Sequence, residues 1–256
     1  MVTLTMTQLL GPVWFIFMLV PLILLQRLLH REIQAVLLIL TRDARLTMGI
    51  FSMLFLPGVF LHELGHFVMA KILRVRTGRF SIFPQSLPDG RLQLGYVETA
   101  RSDIVRDSLI GAAPLIVGTL FVAYVAIDHL QMRVLWDAFR NGQIELFWMG
   151  IRALPQVQDF YLWFYLAFAV SSTMMPSESD RHAWLELLIS IGVLFGIALL
   201  VGAGPWMLSQ VAPRVNNFLS AVAVIFGLSA FVHAILILPT ALIHKVLARA
   251  TGVDVA

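Results

Sequence analysis

Cysteine is absent from this 256-residue chain. That excludes disulfides and thiolate ligands, so any metal site must be built from histidine and carboxylate. Charge is scarce as well: 13% of residues are Asp, Glu, Lys or Arg, about half the share of an average soluble domain. The net charge of +3 comes from scattered arginines with no basic block, which gives no nucleic-acid footprint. The first apolar run has neither a basic leader nor a small-residue cleavage site, and reads as a retained span. Repeats, low-complexity tracts and a second soluble domain are all missing, so residues 1–256 are read as one domain.

What the chain has in abundance is apolar length. Hydrophobic residues make up 59% of it, and Met1–Gln26, Ser108–Ile127, Leu187–Pro213 and Val215–Ile243 are each long enough to cross a hydrocarbon core of about 30 Å. Lipid leaves unpaired backbone groups unsatisfied, so such runs should be helices. The expected fold is an all-α polytopic membrane protein of about six transmembrane helices. These fall near Leu9–Leu29, Leu46–Leu73, Ser108–Ile127, Phe160–Met175, a fifth reaching Ala203, and Asn216–Pro239. Leu28–Asp43, dotted with arginine, reads as a separate interfacial helix, and Asp128–Asp159 as interfacial. Between them, Phe80, Ile82, Leu92, Leu94 and Tyr96 alternate around a Pro-Asp-Gly turn, predicting a small membrane-associated β-hairpin over about 79–98. The basic residues favour, by a narrow margin, a cytoplasmic hairpin and a cytoplasmic C-terminal segment carrying Lys245 and Arg249.

Within the second span lies His62-Glu63-Leu64-Gly65-His66. Residues four apart share a helix face, so both imidazoles can grip one ion. Zinc accepts neutral imidazole together with an oxygen ligand, and Glu63 occupies the place of the general base in the zincin motif, next to water whose pKa zinc lowers to about 7. Three ionisable groups within five positions of a span would each cost about 2.5–3.5 kcal/mol without a role. Pro57 and Gly58 just before the motif predict a kink. Gly65 suits close helix packing as well as catalysis.

A third ligand is needed. Asp180 is the candidate, because the fourth span is short enough to leave the following turn below the membrane surface. Glu178 and His182 are rivals, and Asp180 could instead cap the next helix. His30, His129, His233 and His244 lack a partner at ligand spacing and read as packed or interfacial.

Phe60-Leu61-His62-Glu63-Leu64-Gly65-His66 resembles the motif span of the site-2 proteases, which are intramembrane zinc metalloproteases of multi-pass topology. Gly111-Ala112-Ala113-Pro114-Leu115 resembles the family's Gly-Pro-like element, and Asp180 matches the Asp of its later Asn-x-x-Pro…Asp-Gly element. Two departures mark a divergent member: Arg181 stands where the family has Gly, and Pro176 lies one residue closer to Asp180. The resemblance implies a zinc metalloendopeptidase of a prokaryotic cell membrane, with metal ligands His62, His66 and Asp180 and catalytic Glu63. Its substrates would be membrane-spanning or membrane-associated proteins or peptides. Ser172 or Thr173 falls at the family's Asn position and would touch substrate. The hairpin edge Arg91–Val97, with Leu94 and Tyr96, reads either as the strand that pairs with an unwound substrate segment or as a simple lid or scaffold. Two other classes stay open: a membrane zinc hydrolase acting on lipid or prenylated peptides, or a Ste24-like protease with a later Glu such as Glu186 as third ligand; and a non-catalytic protein that binds a membrane partner.

Overall fold

The protein is described by a computed structural model covering residues 10–86 and 92–253. Helix α1 spans Leu10–Thr41 and α2 spans Ala44–Ile72. The corner between them is built locally: the Asp43 carboxylate accepts from the amides of Arg45 at 2.7 Å and Leu46 at 3.0 Å, capping α2. The Leu46 and Arg45 amides hold that carboxyl below its usual range.

A separate interfacial helix over Leu28–Asp43 is not found, because α1 runs through that segment without a break. No helix breaker lies between Leu28 and Thr41. Arg27 and Arg31 project outward, whereas Glu32 is buried and meets His244 Nδ1 at 2.7 Å. Pro57 likewise sits inside α2 without ending it.

After α2 come strands β1 (Thr77–Ser81), β2 (Gln85–Ser86), β3 (Leu92–Gln93) and β4 (Tyr96–Thr99). β1 pairs antiparallel with β4, aligning Phe80 with Val97 and Ser81 with Tyr96, and β2 pairs antiparallel with β3. The hairpin is therefore present. Its Pro88-Asp89-Gly90 turn and Arg91 lie outside the described residues, as do Met1 to Leu9 of the first apolar run.

Helix α3 (Ile104–Tyr124) is capped by Asp103, whose carboxyl the Arg106 amide holds below its usual range, and continues as a wide turn to His129. The short amphipathic helices α4 (Met132–Arg140) and α5 (Ile144–Ala153) follow. α4 buries Leu135 and Ala138 and exposes Trp136 and Phe139, the division expected at a membrane surface. Next are α6 (Phe160–Ser171), α7 (Trp184–Leu200), a single turn α8 (Gly204–Trp206) and α9 (Ala212–Thr251).

Among the described residues, four helical stretches are long and apolar enough to cross a membrane: α1, α2, Ile104–His129 and Gly204–Thr251. The other two of the expected six spans correspond to α6 and α7, which at 12 and 17 residues are shorter apolar helices. α7 exposes Leu185, Leu188, Ile189, Leu194 and Leu200, and α1 exposes Val13, Ile16 and Phe17. So much exposed apolar surface suits lipid far better than water.

Helix directions follow from the contacts. The Gly11 amide donates to Asn216 Oδ1 at 2.7 Å near the start of α1, and Glu32 meets His244 near its end, so α1 and α9 run parallel. α2 returns antiparallel to α1, with His30 packing on Phe51 and Phe55. α6 lies parallel to α2: Tyr165 donates to the Leu54 carbonyl, and Gly58 meets the backbone of Ala169. Leu29, Phe51, Phe55, Val59 and Phe168 form the core that joins α1, α2 and α6. One finding reverses an expectation. The hairpin leaves the end of α2 beside the start of α1, so it lies at the opposite end of the bundle from the C-terminal end of α9. Arginine counts had favoured the same side, but they differ too little between the two faces to outweigh the packing of α1 on α9.

Candidate metal centre

His62 and His66 project from one face of α2, their ring centroids 4.9 Å apart. Each ring is oriented by a backbone carbonyl: His62 Nδ1 lies 2.6 Å from the Thr173 oxygen, and His66 Nδ1 lies 2.9 Å from the Ile110 oxygen. A carbonyl can only accept, so each Nδ1 carries the proton and, in the neutral ring, each Nε2 presents a bare lone pair. The two Nε2 atoms are 3.3 Å apart. Asp180 approaches the same point, with Oδ1 3.3 Å from His66 Nε2 and Oδ2 3.8 Å from His62 Nε2.

Three acceptors thus converge with no donor among them. A shared proton would serve one pair and charge a ring. A divalent ion would satisfy all three, and tetrahedral ligation at the usual zinc–nitrogen distance separates two nitrogens by about 3.3 Å. These residues fit such an ion. Their ligand atoms all lie within 4.8 Å of one another, and they form the group of that kind found among the described residues.

The local fold explains how Asp180 arrives there. α6 ends at Ser171, and the chain from Ser172 to Ala183 forms no regular helix before α7. Within that turn, Ser177 donates to Asp180 Oδ2 from its amide at 2.7 Å and from its hydroxyl at 2.6 Å. The Asp180 backbone lies on α3 at Gly111, where a Cβ would collide with the Asp180 carbonyl oxygen. Asp180 does not cap α7, whose N-cap position is Ala183. Glu178, His182 and Glu186 are all exposed, and His182 Nε2 faces Asp107 at 3.5 Å. The three rival ligands are not brought to the histidines.

Glu63 is 7% exposed and within electrostatic range of His62, His66 and Asp180. The hairpin closes over it: a Cβ at Gly95 would lie 2.9 Å from Glu63 Cγ and 3.0 Å from the Ser81 oxygen. Leu94 packs on the core, and half-buried Tyr96 pairs with Ser81. The hydroxyls of Ser172 and Thr173 are engaged internally. Ser172 Oγ meets His233 at 2.9 Å, and Thr173 Oγ1 donates to the Ala169 carbonyl at 3.1 Å. What Thr173 brings to the site is its carbonyl.

Ser177 and the ring-orienting Thr173 and Ile110 carbonyls were not legible as site elements in the sequence, and Gly111 was singled out only through the family resemblance. A serine three residues before an aspartate, just after a proline, is a turn signal that could have flagged Ser177. His30 and His233 are packed as expected, and His129 stacks on Trp163 with centroids 3.6 Å apart. No family model, curated protein or solved structure matches the chain.

Proposed function

We propose that the chain is a membrane-embedded zinc metalloprotease that hydrolyses peptide bonds of membrane-spanning or membrane-associated substrates, in keeping with its resemblance to the site-2 proteases. The observation that carries this reading is the convergence of His62 Nε2, His66 Nε2 and the Asp180 carboxylate, with no donor between them, beside the buried Glu63. Two imidazoles and one carboxylate favour zinc over hard, oxygen-loving ions. When bound, such an ion supplies Lewis-acid polarisation of a carbonyl and an acidified water.

The chain's own residues do the rest. The Thr173 and Ile110 carbonyls hold the two rings so that both Nε2 atoms face inward. Glu63 takes the proton of the attacking water and returns it to the departing amine nitrogen. Leu94 and Gly95 lie between β3 and β4, outside the ladder, with Gly95 against Glu63, where an extended backbone could align. This juxtaposition supports a peptide substrate over a lipid. Glu63→Gln should lower peptide hydrolysis about 10²–10⁴-fold, the usual worth of a positioned base. The assay is cleavage of a model transmembrane substrate in detergent or liposomes. Undiminished cleavage by Glu63→Gln would remove Glu63 from the chemistry.

The reading includes a topology. Parallel first and last spans require an odd number of crossings, which α1, α2, α3, α6 and α9 supply, α6 completing its passage through the turn that carries Asp180. The cysteine-free sequence permits a direct check. Single cysteines at Ala100 and at Val253 should react with an impermeant maleimide from opposite sides of the membrane, and labelling from the same side would exclude this topology.

A further inference from the structure

The carbonyl that orients His62 belongs to a residue just past the end of α6, where no helical partner fixes it. Its neighbour Ser172, 1% exposed, is tethered twice. The Gln26 side-chain amide on α1 donates to the Ser172 carbonyl. On α9, His233 Nδ1 lies 2.7 Å from the Ser229 carbonyl, so Nδ1 carries the proton and Nε2 accepts from Ser172 Oγ at 2.9 Å. His233 is 0% exposed. Placing an imidazole, a hydroxyl and an amide in an apolar interior costs free energy unless they are paired. These groups join α1 and α9 to the residue that ends α6. What the polar groups add is direction, since a hydrogen bond fixes distance and angle where packing alone fixes neither.

We infer that His233 is a positioning residue for the metal centre: through Ser172 it locks the end of α6 in the place from which the Thr173 carbonyl holds His62 in its ligating tautomer. The inference rests on the metal reading above. It makes the parallel pair α1 and α9, neither of which supplies a ligand, a brace that sets ligand geometry from behind α6. Outer partners of metal-ligating histidines typically contribute about 10–100-fold in affinity, and a residue one step further out belongs at the lower end of that range.

The test is chelator-competition affinity for Zn²⁺ and the visible spectrum of the Co²⁺ form, measured on the detergent-purified full chain. His233→Leu should bind about 10-fold more weakly than wild type. His233→Gln, which can keep an acceptor where Nε2 stands, should recover to within about 3-fold. Ser172→Ala removes only a hydroxyl and so carries the test even where His233→Leu does not fold. It should match His233→Leu, and the double variant should be no weaker than either single one, as expected of residues in a single chain of contacts. Wild-type affinity and an unchanged cobalt spectrum in Ser172→Ala and His233→Leu would overturn the brace while leaving the metal reading intact. A wild-type protein that takes up neither ion would overturn both.

Discussion

His66→Ala and Asp180→Ala should each abolish stoichiometric metal binding, whereas Glu63→Gln should retain one divalent ion per chain. The argument is geometric. The Nε2 atoms of His62 and His66 are 3.3 Å apart, and Asp180 Oδ1 is 3.3 Å from His66 Nε2. Removing either His66 or Asp180 leaves two donors, too few to hold an ion against solvent and chelator. Affinity should fall well beyond the roughly 10–100-fold associated with losing an outer partner. Glu63 belongs to the neighbourhood but not to the ligand set, so its amide isostere should leave occupancy intact while hydrolysis falls. Zinc content by elemental analysis after gel filtration separates the cases. Equal zinc in wild type and Asp180→Ala would move the third ligand elsewhere, and Glu178, His182 and Glu186, all exposed, would then have to be reconsidered.

The part of this site legible in the sequence is the part set by helical periodicity. His62, Glu63 and His66 follow from a spacing of four within an apolar run, and the hairpin follows from alternation on either side of a turn. Asp180 was reachable only as one candidate among several, because its place depends on where a short helix stops and on how the next turn folds. The length of α1 shows the limit more sharply. Arg27, Arg31 and Glu32 look like the end of a span, yet Glu32 finds His244 on α9 and α1 continues. Nothing local to Glu32 announces a partner 212 positions away. The same holds for Ser172 and His233: each was readable as a polar residue in an apolar context, but their pairing belongs to the packing of α6 against α9.

Packing also decides which glycines matter, and the answer departs from what the motif suggests. Gly65 lies inside the motif, yet a Cβ there would meet the Ala113 and Pro114 backbone at 3.4 Å, at the edge of ordinary van der Waals contact. Gly111 lies far from it in sequence, and a Cβ there would overlap the Asp180 carbonyl oxygen. Backbone cannot yield as a flexible side-chain tip does, so even Gly111→Ala must push the Ser177–Asp180 turn away from α3, or α3 away from α2. Movement of the turn withdraws the carboxylate from the histidines, and movement of α3 withdraws the Ile110 carbonyl that orients His66. Overpacking of this kind costs about 1–3 kcal/mol in stability, and the displaced ligand should lower zinc affinity by at least about 10-fold. Gly65→Ala should bind zinc within about 3-fold of wild type. Thermal unfolding and chelator competition on the two variants side by side give the comparison. If Gly111→Ala bound zinc as tightly as wild type while Gly65→Ala did not, Asp180 would not be held on α3 in the way the contact at Gly111 requires.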